Sequence, residues 1–151
     1  MGSLAVIYFF PSDEKKVKRQ FALLAQWASK DPDEKPLAMA QRVKKIGSLF
    51  AKKCNLQVSS YLILGTFSRK EIMAFAARGR LHFSQFNLKF YDLTVTFPEE
   101  RKAKVALTGR LSGKEQNGET VDETRELLCV LQKVEKEWLF SEFEVVEVLK
   151  K

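Results

Sequence analysis

The sequence contains few of the residues that hold metals or build disulfide frameworks. One histidine, His82, and two cysteines occur among 151 residues. Cys54 and Cys129 lie far apart and belong to no CxxC motif, and a single histidine cannot complete a histidine-based zinc site. We therefore predict no metal and no cofactor. We interpret both cysteines as buried thiols, which leaves the cellular compartment open.

Proline is also scarce, with four residues, and no repeat or low-complexity segment is visible. Twelve phenylalanines and a hydrophobic content of 45% indicate a packed, aromatic-rich core instead. A chain of 151 residues is the usual size of one domain. We place this single domain at residues 12–151.

No apolar run is long enough to cross a bilayer. Residues 1–11 include seven consecutive apolar residues, Leu4–Phe10 (LAVIYFF), against the ~20 that a spanning helix needs. The segment also lacks the basic front region and cleavage site of a signal peptide. Two interpretations stay open: a segment packed on the soluble domain, or the end of a trimmed anchor whose upstream part would hold the domain on a bacterial membrane. Four cations follow at the spacing expected for lipid headgroups: Lys15, Lys16, Lys18 and Arg19.

The net charge of +7 is unevenly distributed. Residues 1–53 hold eleven Lys or Arg against five Asp or Glu, whereas residues 54–151 hold fifteen against fourteen. A basic region of this kind can meet nucleic acid or anionic lipid, but solvated lysines on amphipathic helices explain it more simply. No glycine-rich phosphate loop or RNA-binding aromatic motif accompanies the charge, so a nucleic-acid partner is not favoured.

Three helices are predicted from start signals and apolar spacing. Ser12, followed by two acids, predicts a first helix that runs to about Ser29. Pro36 suits the first position of a second helix. The stretch from Ser68 to Glu71 is a capping box, in which the hydroxyl and the carboxylate each satisfy an amide of the first turn, and it predicts a third helix.

Alternating apolar residues predict the strands. A bent or bulged strand is expected from Leu56 to Leu64, interrupted at Ser59 and Ser60. From Phe86 the period is two, and the inward parity changes near Phe90 and Tyr91, which predicts a bulge. Asn117-Gly118 predicts a hairpin turn. Four consecutive strands after three helices predict an α+β fold in the order α-α-β-α-β-β-β-β.

The third helix (SRKEIMAFAARGRLHF) and the last two strands (LLCVLQKVEKEWLFSEFEVVEV) resemble the nuclear transport factor 2-like superfamily, also called cystatin-like or SnoaL-like. The resemblance spans residues 12–149. It implies a cone-shaped, curved antiparallel sheet with the three N-terminal helices packed on its concave face, and a homodimer formed through the sheet. The superfamily contains enzymes and inactive accessory domains, so the fold does not choose the activity.

Enzymes of this superfamily work inside the cone with an Asp or His base and a Tyr or acid that donates to an oxyanion. The weak catalytic candidates here are His82, Asp92, Tyr61 and Tyr91. The general base typical of the isomerases has no clear match. A dehydratase-like set of several histidines cannot exist with one histidine.

Three further residues are candidates for binding in a pocket. An arginine that faces into the cone would offer a planar fork to a carboxylate or phosphate, which singles out Arg78 and Arg125. Arg125 has local acids, Glu123 and Glu126, as alternative partners. Trp27 belongs to the inward stripe of the first helix and is the third candidate.

Two hypotheses of function follow. The first, which the sequence favours, is a non-catalytic cone-fold module that binds a small apolar ligand or a protein partner and contacts a membrane through its N-terminal segment. The second is a small-molecule isomerase, cyclase or lyase that uses a pocket in the cone. The second hypothesis requires His82 and its partner residues to meet in one concave pocket, whereas the first does not.

Overall fold

Within residues 11–58 and 63–148, which the computed structural model describes, the chain forms three helices and six strands. The helices are α1 (Pro11–Ala28), α2 (Pro36–Ser48) and α3 (Arg69–His82). The strands are β1 (Phe50–Val58), β2 (Ile63–Ser68), β3 (Phe83–Glu99), β4 (Lys102–Glu115), β5 (Thr120–Val134) and β6 (Glu137–Val148). The predicted α+β class is confirmed.

The six strands form one curved, unclosed sheet in the order β2-β1-β6-β5-β4-β3. Strands β3 to β6 are the predicted antiparallel meander. The first strand, β1, pairs with β2 antiparallel but with β6 in parallel. The sheet is therefore antiparallel except between β1 and β6. These two strands meet because β6, the last strand of the meander, lies beside β1, which comes early in the chain.

The segment predicted as one strand forms two strands. The observed order is therefore α-α-β-β-α-β-β-β-β, and the predicted order α-α-β-α-β-β-β-β is wrong at this point. The bent strand expected from Leu56 to Leu64 ends at Val58, and β2 begins at Ile63, which pairs with Val58. The chain thus reverses where a bend was expected. A reversal lets the two segments satisfy each other's backbone groups. The expected interruption at Ser59 and Ser60 lies outside the described residues.

The helices cover one face of the sheet through an apolar stripe. Val17, Phe21 and Leu24 of α1 are buried, as the predicted inward stripe requires. The Phe21 ring meets Phe90 of β3 and Phe140 of β6 edge-on, at centroid distances of 5.4 and 4.9 Å. Edge-to-face pairs of this kind add about 0.5–1.5 kcal/mol each to the burial of their area. The concave face of the sheet and α1 therefore share one core.

Asp13 joins the start of α1 to the hairpin between β5 and β6. Its Oδ1 accepts hydrogen bonds from Trp138 Nε1 at 3.0 Å and from Lys133 Nζ at 3.2 Å. Burial raises the pKa of the Asp13 carboxyl, but these two donors outweigh it and hold that pKa below its ordinary value. Asp13, one of the two acids predicted for the first turn of this helix, therefore also makes a tertiary contact.

The local signals for α3 and β3 are confirmed. Ser68 Oγ accepts from the Glu71 amide, and Glu71 Oε1 accepts from the Ser68 amide, which completes the predicted capping box. In β3 the pairing with β4 shifts register between Tyr91 and Thr94. Asp92, with φ of 55°, sits in this bulge. The bulge places Phe90 and Leu93 on the same side of the sheet, against the core.

Candidate functional site

The concave face of the sheet contains a cavity of about 170 Å³ beyond the area that α1 covers. Its wall is almost entirely apolar and comes from four strands of the meander and the end of β1: Val58, Leu88, Phe90, Gly109, Leu111, Leu127, Phe143 and Val145. Phe90, Leu127, Phe143 and Val145 also pack in or against the core. The cavity is therefore continuous with the interior of the cone.

Gly109 shapes the floor of this cavity. A Cβ at this position would lie 2.9 Å from Leu127 Cδ1 and 3.6 Å from the Phe90 ring. Contacts under 3.0 Å force a neighbour to move, so any side chain here would fill the space that the cavity occupies. Glycine keeps the site open.

Arg125 and Glu123 supply the charged groups of the cavity wall. The alternation of β5 places both on the concave side, together with buried Leu127. Arg125 Nη2 donates to Glu123 Oε1 at 3.0 Å, and Nη1 donates to the Thr124 carbonyl at 3.4 Å. The Arg125 side chain is 19% exposed. Two of its five N–H donors are used in these bonds, so the fork can also serve an anion in the cavity.

The structure does not bring His82 and Asp92 together. The His82 side chain is 61% exposed at the end of α3, where Nε2 lies 3.3 Å from Glu115 Oε2. Asp92 is exposed in the bulge of β3, nine residues after the strand begins. That length of strand spans about 25–30 Å. The two side chains therefore lie at separate places, one just before β3 and one within it, and the structure does not pair them.

Of the two tyrosine candidates, the structure describes Tyr91, which does not line the cavity. Tyr91 is exposed and contacts Arg110. The Arg110 side chain lies on the opposite face of β4 from Gly109 and Leu111, which line the cavity. Arg110 forms a two-pronged pair with Asp122, through bonds of 2.9 and 2.8 Å. The bond from Arg110 lowers the pKa of the Asp122 carboxyl. Tyr61 lies outside the described residues.

Of the three pocket candidates, only Arg125 lines the cone cavity. Arg78 is exposed, and its guanidinium carbon lies 5.1 Å above the Phe75 ring on the same helix. Trp27 lines a different groove, of about 320 Å³, between α1, the end of α2 and the β5–β6 turn. Lys45 Nζ lies 5.6 Å from the centre of the Trp27 ring. Whether Arg125 binds a ligand stays a prediction.

Sequence reasoning missed the importance of Arg80, which is 1% exposed. Its Nη1 donates to the carbonyls of Trp27 (2.8 Å), Ala28 and Ser29 (3.1 Å), and its Nη2 pairs with Glu34. These carbonyls end α1, which has no basic residue in its last turn. A helix end without its own cation or glycine needs an outside donor, and that need was the available signal.

Lys30 stabilises the end of α3 in the same way, by donating hydrogen bonds to backbone carbonyls. Its Nζ donates to the carbonyls of Arg80 and Phe83, both at 2.8 Å. Its backbone also forms a bridge with Phe86 at the start of β3. The ends of α1 and α3 therefore stabilise each other and fix both helices against the sheet that carries the cavity.

No three His, Cys, Asp or Glu side chains in residues 11–58 and 63–148 are grouped as a metal site requires. No helix in the same residues has both the length and the apolar character needed to cross a membrane.

Comparison with known proteins gives likeness of structure without likeness of sequence. No protein-family model matches the chain, and no curated protein matches it. Among solved structures, Kfla4162 of Kribbella flavida superimposes with a TM-score of 0.78 at 10% identity, over 93% of both chains. A proposed scytalone dehydratase of Novosphingobium aromaticivorans gives 0.73 at 13%, over 93% of this chain and 86% of its own. A hexachlorocyclohexane dehydrochlorinase, LinA type 2, gives 0.71 at 9%, over 93% and 90%.

Proposed function

We propose that this chain, whose fold is that of the nuclear transport factor 2-like superfamily, is a binding module for a small anionic molecule with an apolar body. The observation that carries the proposal is the position of Arg125, paired on one side with Glu123, in the wall of a cavity whose remaining lining is apolar. Apolar walls with a few convergent polar groups are typical of small-molecule sites.

The volume of the cavity limits the size of the ligand. About 170 Å³ is close to the size of an apolar cavity that accepts one benzene molecule. The ligand therefore has about one ring or a short aliphatic body, with its anionic group near Arg125. In such surroundings a bond between a guanidinium and a carboxylate is stronger than at an exposed site, because water competes less.

Calorimetric titration of the whole chain with small acids tests the proposal. Benzoate and phenylacetate are compared with benzyl alcohol, which has a similar ring and no charge. Arg125→Met removes the fork and keeps the length of the side chain. Arg110→Met is the matched control, because Arg110 also pairs with a carboxylate but points away from the cavity.

We expect the acids to bind about tenfold more tightly than the alcohol, which corresponds to one charge-assisted hydrogen bond of about 1.5–3 kcal/mol. Arg125→Met should remove this preference, and Arg110→Met should leave it unchanged. Equal affinities for acid and alcohol in the parent chain would contradict the proposal, as would an equal loss in both variants.

A second candidate function is a small-molecule lyase or isomerase. It is favoured by the solved structures described as a proposed dehydratase and a dehydrochlorinase. In this chain Glu123, in the cavity wall, would be the group that takes a proton from the substrate. Deuterium uptake at the carbon beside the carboxylate of phenylacetate, lost in Glu123→Gln, would support catalysis. A rate equal to that without protein would remove this candidate.

We also propose that two copies of the chain associate through the outer face of the sheet. Leu128 and Val146 on this face are 49% and 43% exposed, and Ala106 is exposed beside them on β4. Exposed apolar residues on adjacent strands are typical of protein interfaces. This arrangement would leave the concave cavity accessible to ligand.

A further inference from the structure

The helical side of the domain carries two long stretches without any acid. Residues 15–30 contain five Lys or Arg and residues 35–70 contain eight, with no Asp or Glu in either. These stretches include α1 after its first turn, all of α2, and both β1 and β2. Because α1 and α2 pack against each other, with Lys45 of α2 5.6 Å from the centre of the Trp27 ring of α1, cations of both helices contribute to one basic side of the molecule.

The groove that contains Trp27 lies within this basic side. Lys16 and Arg19 are one helical turn apart on α1, Leu23 and Trp27 continue the same stripe, and Lys136 lines the groove from the β5–β6 turn. In the described part of the chain, none of these three cations is within ion-pair distance of a carboxylate. Glu137 is the acid among the groove residues described.

We propose that this face, defined by Lys16, Arg19, Trp27, Lys45 and Lys136, docks on the surface of a membrane that contains anionic lipids. The cations would meet lipid phosphates and carboxylates, and Trp27 would lie at the level of the headgroups, where tryptophan is enriched. The apolar run Leu4–Phe10 directly precedes α1 in the sequence. A short apolar segment followed by a basic helix fits a lipid surface better than it fits nucleic acid.

Docking on the membrane is independent of the proposed ligand site. The cone cavity is lined by β3 to β6 and the end of β1, whereas the groove lies between α1, the end of α2 and the β5–β6 turn, and the two share no lining residue. The domain would therefore be oriented with α1 and α2 toward the bilayer and its cavity accessible from the side.

Co-sedimentation of the whole chain with vesicles tests the proposal. Pure phosphatidylcholine is compared with phosphatidylcholine that contains about one third phosphatidylserine, at ionic strengths of about 0.05 and 0.5 M. The test variant is Lys16→Glu with Arg19→Glu. The control is Lys104→Glu with Lys114→Glu, which makes the same change of net charge at exposed positions of β4.

We expect binding only to the phosphatidylserine vesicles, weakened by salt and reduced at least tenfold in the α1 variant, because each basic residue near an anionic surface changes affinity by a factor of about five. The β4 control should bind nearly as the parent does. Equal binding to both vesicles, equal loss in the two variants, or tighter binding to duplex DNA than to phosphatidylserine vesicles at equal ionic strength would overturn the proposal.

Tryptophan fluorescence tests which face of the domain meets the membrane. Brominated lipids quench tryptophans that reach the headgroup region, and the second tryptophan, Trp138, is buried at 2% exposure. We expect quenching in the parent chain and none in Trp27→Phe. Quenching that persists in Trp27→Phe would show that another face meets the lipid and would contradict the assignment of this groove.

Discussion

At the scale of single residues, Arg80 determines how α1 ends. It is the buried cation that pairs with Glu34 and donates to the carbonyls of Trp27, Ala28 and Ser29, the last two residues of α1 and the residue after it. Removing one partner of a buried pair leaves the other charge uncompensated, which costs about 3–5 kcal/mol. We therefore expect Arg80→Ala to lower the free energy of unfolding, measured in urea, by about that amount.

The control for Arg80 is its neighbour Arg78. Arg78 is exposed and contacts only the Phe75 ring among its described partners, so Arg78→Ala should cost at most about 1 kcal/mol. If Arg80→Ala does not fold, Arg80→Ala with Glu34→Ala should recover part of the stability, because no buried charge is then left alone. Equal effects of the two single variants would show that Arg80 is not the helix cap described here.

The two cysteines allow a test of burial by chemistry. Burial raises the pKa of the Cys54 thiol to about 12, with Glu142 contributing, and burial also raises the pKa of the Cys129 thiol. At pH 8 only about one Cys54 in ten thousand is then a thiolate, the reactive form. Ellman's reagent should detect no thiol in the native chain and two after unfolding in guanidinium. Rapid reaction of the native chain would contradict this burial.

At the scale of elements, the bulge in β3 changes which alternate residues of the strand face the core. Asp92 has a left-handed φ of 55°, which Gly and Asp tolerate and β-branched residues do not. We expect Asp92→Val to destabilise the chain by about 1–2 kcal/mol in thermal unfolding and Asp92→Gly to have no such cost. Thr94→Val, just beyond the bulge, serves as the control. If Asp92→Val and Thr94→Val have the same effect, the bulge does not impose this conformation.

Local signals predicted much of the element pattern. The capping box of α3, the parity change in β3 and the Asn117-Gly118 turn each depend on a few adjacent residues, and the structure contains all three. The parallel pairing of β1 with β6 depends on a partner far along the chain, such as Phe140 for Phe50, and the reversal after Val58 has no Gly or Pro turn signal to mark it. A distant partner and an unmarked turn are both invisible to local patterns, so these two features were missed.

The site was predictable only in part, for the same reason. Arg125 was named from its residue type and the expected cone fold, and it does line the cavity. Arg80 was not, because its acceptors are carbonyls of another helix. His82 and Asp92 were joined by their chemistry alone, and the length of the strand between them keeps them apart.

At the scale of the whole molecule, self-association is expected through the outer face of the sheet. Leu128 lies on this face, so Leu128→Glu should place a charge in the interface and convert a dimer to a monomer. Light scattering after gel filtration gives the mass. Leu37→Glu, at an exposed apolar position of α2, is the control and should stay dimeric. A parent chain that is monomeric at high concentration would refute the proposed dimer.

The most direct test of the account is a methyl NMR spectrum of the labelled chain, recorded as benzoate is added. Binding in the cone predicts shifts of the Leu111, Leu127 and Val145 methyl groups, which line the cavity, and none of Leu128, which faces outward on β5. In Arg125→Met the same shifts should require about tenfold more benzoate. Shifts confined to Leu128 and other outer residues, or no shift at millimolar benzoate, would contradict a ligand site inside the cone.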